Sequence, residues 1–233
     1  MALDRETLVR TALRLIDEGG LDSLTLRKLA AELGVQAPAL YWHFKNKREL
    51  LDAVATHLVA EQRSTSGTAP DDGQPWWEWI EQRLLDGRRT LLSHRDSALI
   101  AAGNRPTPDA LPASDATLSS LAAGGVPPGE ALLFTLAAGN YLLGGVLERQ
   151  SAEAREPTDT ETETFRLMQD AERYPTLAAA VAELLANGGR GPDSADSPEG
   201  AGGLDDAVFR FGLGLMIDGL RARLTRADQD SGP

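Results

Sequence analysis

Five basic side chains, Arg27, Lys28, Lys45, Lys47 and Arg48, stand between residues 27 and 48 against a single acid, Glu32. Cations gathered in that way suit binding of phosphate more than any bond-making chemistry. The groups that catalysis would need are missing as constellations. Three histidines (His43, His57 and His94) lie far apart, without an HExxH or a His-x-Glu spacing. There is no cysteine, no G-x-S-x-G elbow and no phosphate-cradling glycine loop after a strand. No catalytic residue, metal ligand set or cofactor is expected, and the absence of cysteine fits a reducing, cytoplasmic setting.

The cationic cluster sits on an acidic chain. The 233 residues carry 23 Lys and Arg against 35 Asp and Glu, a formal net charge of −12. Residues 1–63 hold 9 basic and 9 acidic side chains, including all three lysines, so the whole excess of acid falls in the remainder. A basic tip on an acidic body resists indiscriminate binding to polyanions while leaving one surface competent for them.

Helices must position that tip. Leu8, Ala12, Leu15 and Ile16 share a face over about 5–18, stopped by Gly19-Gly20. Thr25 can cap a second helix with Leu26, Leu29, Ala30 and Leu33 inward and Gly34 at its end. Pro38 opens a third, Pro38–His43, where a first-turn proline is tolerated. Lys47 starts a longer one bearing Leu50, Leu51, Val54 and Leu58. Two helices around a glycine turn form a helix-turn-helix pattern. Beyond a polar connection at 64–74, helices are expected at about 75–93, 95–102, 110–123, 128–150, 163–186 (broken or kinked at Pro175) and 204–226. The stretches 151–163 and 187–203 read as mobile. The fold class is all-α, with a head at 1–63, a body at 75–226 and a tail at 227–233. Residues 131–147 carry no charge, yet their length is marginal for a bilayer and a buried helix is the expected state.

The stretch TLRKLAAELGVQAPALYWHFKNKRELLDAV (25–54) resembles the DNA-binding head of the tetracycline-repressor (TetR) family, and LLSHRD (91–96), GNRPT (103–107) and GGVLERQ (144–150) extend the likeness over most of the chain. The resemblance implies a ligand-responsive homodimer bound to palindromic operator DNA, with no membrane role. On that reading Gln36, Ala37, Pro38 and Ala39 lead the recognition helix into the major groove, Gln36 toward a base edge and the apolar three toward thymine methyls. Arg27 matches a guanine-reaching arginine, and Thr25, Tyr41, Trp42, His43, Lys45 and Lys47 match positions that grip or orient on the backbone. Leu40 and Phe44 read as core, and Tyr41 as partly so. Ala138, Leu142 and Gly145 on one long helix, with Phe211, Leu215 and Leu220 on the last, mark a dimer seam.

The same resemblance places an effector pocket at Arg63, Arg83, Ala101, Asn104, Arg105, Pro106, Thr117, Leu132, Thr135 and Glu148. Ala101 stands where the family's tetracycline-binding members have a magnesium-ligating histidine, and Arg63, Arg83, Gly87 and Thr117 replace drug-contacting residues. Glu148 alone is a poor magnesium site, so a different small molecule, without metal, is expected. Arg83 and Arg105 can attract an acidic or carbonyl-rich ligand, or pair with carboxylates instead. Trp76, Trp77 and Trp79 can wall the ligand or pack against the linker. An activator of the same fold, or a ligand-binding adaptor without DNA binding, is the alternative; the basic cluster argues against the adaptor.

Overall fold

The structure, a computed structural model, describes residues 4–103, 108–155, 158–186 and 203–230. Among these the chain is built from helices and contains no strand. It divides into two compact units, Met1–Gln150 and Ser151–Pro233.

The first unit opens with α1 (Arg5–Gly19), whose N-cap Asp4 accepts a hydrogen bond from the Thr7 N–H at 2.7 Å. That bond holds the Asp4 carboxyl below its ordinary range. Gly20, at φ 81°, turns the chain out of the helix and returns its N–H to the Ile16 carbonyl. Thr25 caps α2 (Leu26–Glu32) through the Lys28 N–H at 3.0 Å, and Gly34, at φ 66°, lies just past its end. The third helix, α3 (Ala37–Leu40), is shorter than expected. His43 N and Phe44 N both bond the Leu40 carbonyl, so the chain tightens into a turn there instead of running on to His43. Asn46 caps α4 (Lys47–Ser66) at the Glu49 N–H, while the Glu49 carboxylate accepts from Lys45 N at 2.8 Å. This helix takes in residues 64–66, which the sequence pattern assigns to the connection. The head closes on Leu8, Ile16, Leu29, Leu40, Phe44 and Leu50, each no more than 1% exposed.

Beyond the connection come α5 (Trp76–Leu92), α6 (Ser97–Ala101), α7 (Leu111–Ala123) and α8 (Pro128–Glu153). Helix α4 packs on α1, α5 and α6, so one element links the head to the body. Gly87 keeps α5 close to its neighbours, since a side chain there would meet Gln62 of α4 and Leu142 of α8. Helix α8 is long and apolar enough to cross a membrane by length and composition alone. Ala131, Phe134, Ala138, Leu142 and Val146, repeating every three to four residues, form a buried stripe along it.

Trp76 packs over Gly124, where an added methyl would stand 2.4 Å from the indole Cδ1. Gly124→Ala is therefore expected to cost about 1–3 kcal/mol of stability by overpacking. A thermal melt should fall by about 2–10 °C for a chain of this size; an unchanged midpoint would show that the indole moves freely.

In the second unit the helix expected at 163–186, broken or kinked at Pro175, is broken into two, α9 (Asp159–Leu167) and α10 (Pro175–Ala186). The Asp170 carboxylate accepts from Glu172 N and Arg173 N, holding a turn between them. Pro175 then begins a helix, where its missing N–H costs nothing, rather than bending one. The last helix, α11 (Gly203–Asp230), continues past the end expected at 226. Of the stretches expected to be mobile, 151–163 includes the end of α8 and the start of α9, and 187–202 lies outside the described residues.

Candidate nucleic-acid interface and effector cavity

Helix α3 presents a surface that folding does not consume. Leu40 and Phe44 point into the head core, as their apolar character predicts, whereas Tyr41 is 54% and Trp42 90% exposed. An indole that exposed contributes nothing to packing, and Pro38, Tyr41 and Trp42 border a shallow hollow on the outside of the head. Gln36 is exposed, with Ala37 and Ala39 half-buried beside it. Arg5 pins the far end of this segment: its Nη1 donates to the His43 carbonyl at 3.1 Å and its guanidinium lies 4.4 Å from the Phe44 ring centre.

The cations around this surface differ in what holds them. Lys47 Nζ donates to the Leu21 carbonyl at 2.9 Å, Lys28 Nζ to Ser23 Oγ at 3.2 Å, and Arg48 pairs with Asp52. Arg27, beside the exposed capping residue Thr25, and Lys45 are exposed, and their side chains have no partner among the described residues. Those two are the charges most available to an incoming polyanion.

A polar clasp ties the head to the body. The Asp17 carboxylate of α1 faces His94 Nδ1 at 2.9 Å and accepts from Arg95 N at 3.0 Å. Asp96, at φ 56° the only non-glycine residue with positive φ among the described residues, accepts from Leu21 N at 2.7 Å. From the other side Gln150 Nε2 of α8 donates to the His94 carbonyl at 2.8 Å. The turn between α5 and α6 is thus held by the head and by α8 at once.

A cavity of about 600 Å³ opens in the first unit between the end of α4, α5, α7 and α8. Arg83, Thr117, Leu132 and Thr135 line it, as do Ala138 and Leu142, two positions expected at a dimer seam. Ala101 and Glu148 are not among its lining residues. Asn104, Arg105 and Pro106, and the Arg63 side chain, lie outside the described residues. Nor do Trp76, Trp77 and Trp79 wall it; Trp76 and Trp79 are buried and Trp76 is spent on Gly124. Leu111, Asp115, Leu118 and Phe134 line it without having been singled out in the sequence. Their signal was present as the i, i+4, i+7 spacing of 111, 115 and 118 on one helix face. Of the remaining seam positions Gly145 is half-buried, Phe211 and Leu215 are 63% and 59% exposed, and Leu220 is buried.

Comparison with known proteins decides what this architecture belongs to. Residues 8–54 match the bacterial regulatory proteins of the tetR family, and residues 69–224 match the tetracyclin repressor-like C-terminal domain. The chain belongs to the TetR family. It is a helix-turn-helix transcriptional regulator, and the TetR relatives are regulators rather than enzymes. It is 37% identical to the class C tetracycline repressor protein of Escherichia coli over 97% of this chain and 94% of that one. The TetR-Q116A protein of Acinetobacter baumannii, solved with minocycline, superposes with a TM-score of 0.70 at 34% identity, covering 96% of this chain and 99% of that one. ActR of Streptomyces coelicolor, solved with actinorhodin, gives 0.72 at 26% identity over 96% and 99%.

Proposed function

We propose that the protein is a cytoplasmic repressor that binds a palindromic operator as a homodimer and is released by a small molecule. Residues 1–63 serve as the DNA-binding head, 75–226 as the effector-binding and dimerisation body, and 227–233 as a tail. The observation that carries the reading is the unspent surface of the turn that follows α3, an exposed Trp42 and Tyr41 flanked by Arg27 and Lys45, which have no side-chain partner among the described residues. One such head offers few contacts; two, one helical turn apart, supply the affinity that a specific site needs. Phe211 and Leu215, apolar and exposed, support a seam with a second copy.

The tetracycline–magnesium complex is a poor fit for the body. Ala101 has no donor atom, and Glu148 is a single exposed carboxylate, whereas a divalent ion needs several oxygen or nitrogen ligands. The cavity is instead lined mainly by carbon, which suits a flat, apolar-bodied molecule bound directly. A ligand that prefers one setting of α8 can act on the head through Gln150 and the clasp at Asp17 and Asp96. Its differential affinity for the two settings is what drives release.

Lys45 tests the DNA-binding half of this reading. Lys45→Ala should weaken binding to specific and random duplexes alike and flatten the dependence of log affinity on log salt by about one phosphate contact. Lys47→Ala should change the slope less, since that ammonium is shared with the Leu21 carbonyl. A slope unmoved by Lys45→Ala would remove Lys45 from the interface.

A further inference from the structure

One ionisable ring stands at the junction of head and body. Among the described residues the His94 imidazole meets two side chains by hydrogen bond or ion pair, and both are carboxylates. Asp17 of α1 lies 2.9 Å from Nδ1. Glu61 of α4 faces Nε2 at 3.5 Å, an approach that is not a hydrogen bond. Nε2 is shut off from solvent and has no other partner. The turn that carries His94 adds Arg95, whose Nε is 3.9 Å from Asp96 Oδ2, and α8 reaches it with the neutral Gln150 amide, on the His94 carbonyl.

This geometry fixes which nitrogen can change its proton. Asp17 is held as an acceptor, because its other oxygen takes the Arg95 N–H at 3.0 Å. Nδ1 therefore donates to it. A neutral ring then turns the Nε2 lone pair toward the Glu61 carboxylate, with no donor between them and water excluded. A proton taken from solvent onto Nε2 replaces that repulsion with a charged donor facing an anion. The turn is placed to respond. Asp96 is held in the left-handed region, and the head backbone lies against it: a side chain at Gly20 would stand 3.2 Å from Asp96 Oδ2 and 3.4 Å from the Arg95 guanidinium carbon. We propose that His94 is a proton-operated clasp. Between about pH 8 and about pH 6, where imidazoles change charge, Nε2 closes on Glu61 and ties α4 to the turn that already holds α1. As pH rises again the α4 side opens. The inference concerns this junction and stands whether or not the protein binds DNA.

A double-mutant cycle of Glu61→Gln and His94→Gln in the full-length protein, melted at about pH 6 and about pH 8, tests it. At the lower pH the pair should be coupled by about 2–4 °C, and at the higher pH the two losses should add. Ring ¹⁵N spectra, with His94 identified by the signals lost in His94→Gln, should show both nitrogens protonated at the lower pH and Nδ1 alone at the higher. Additive losses at both pH values, coupling of equal size at both, or an Nε2 that stays bare at the lower pH would overturn the clasp. Should His94→Gln not fold, Glu61→Gln at its exposed position carries the test, in a His57→Gln background that removes the imidazole one turn away on α4. It should lower the midpoint more at about pH 6 than at about pH 8; an equal loss would overturn the proposal.

Discussion

Phe44→Ala is expected to lower the stability of the head by about 3–5 kcal/mol, the range for truncating a fully buried phenylalanine. The ring is 1% exposed, lies four residues past the end of α3 and carries the Arg5 guanidinium over its face. Its removal leaves a void beneath α3 and takes away the surface on which Arg5 rests while bonded to the His43 carbonyl. Stability and DNA binding should therefore fall together. Against a total of roughly 5–15 kcal/mol, the loss is large enough to move a denaturant midpoint plainly. Lost DNA binding with an unchanged midpoint would mean that Phe44 touches DNA rather than supporting the helix that does.

Arg27→Ala should act in the opposite manner, on recognition and not on folding. The side chain is exposed in the first turn of α2 and has no partner among the described residues, so truncating it opens no cavity and strands no buried group. A bidentate contact to a guanine contributes about 1–3 kcal/mol of discrimination. Binding to the operator should thus weaken by about five- to 150-fold, with a much smaller change on random duplex and an unchanged melting temperature. Equal losses on both DNAs would reduce Arg27 to a phosphate contact.

The head was legible in the sequence because its signals are local. Thr25 caps its helix, Gly34 takes positive φ, and Leu40 and Phe44 are buried, all at the positions that residue type predicts, whereas the exposure of Tyr41 and Trp42 follows only from the family resemblance. The body was harder to read where contacts join residues distant in the chain. Asp17 meets His94 and Leu21 meets Asp96 across some 75 residues, and no spacing rule announces such pairs. The same holds for Arg83, whose engagement with Gly67 follows from the path of the connection after α4. Pro175 left two outcomes open, a break or a kink, and the turn held by Asp170 chose the break, with the proline opening α10.

The account stands on two heads reading one duplex. Footprinting of the purified full-length protein on the DNA flanking its own gene, at about 0.15 M salt, tests this most directly. Two protected half-sites of inverted sequence about one helical turn apart, lost together as protein is diluted, are predicted. A single protected half-site, or protection erased equally by the same mass of random duplex, would contradict it.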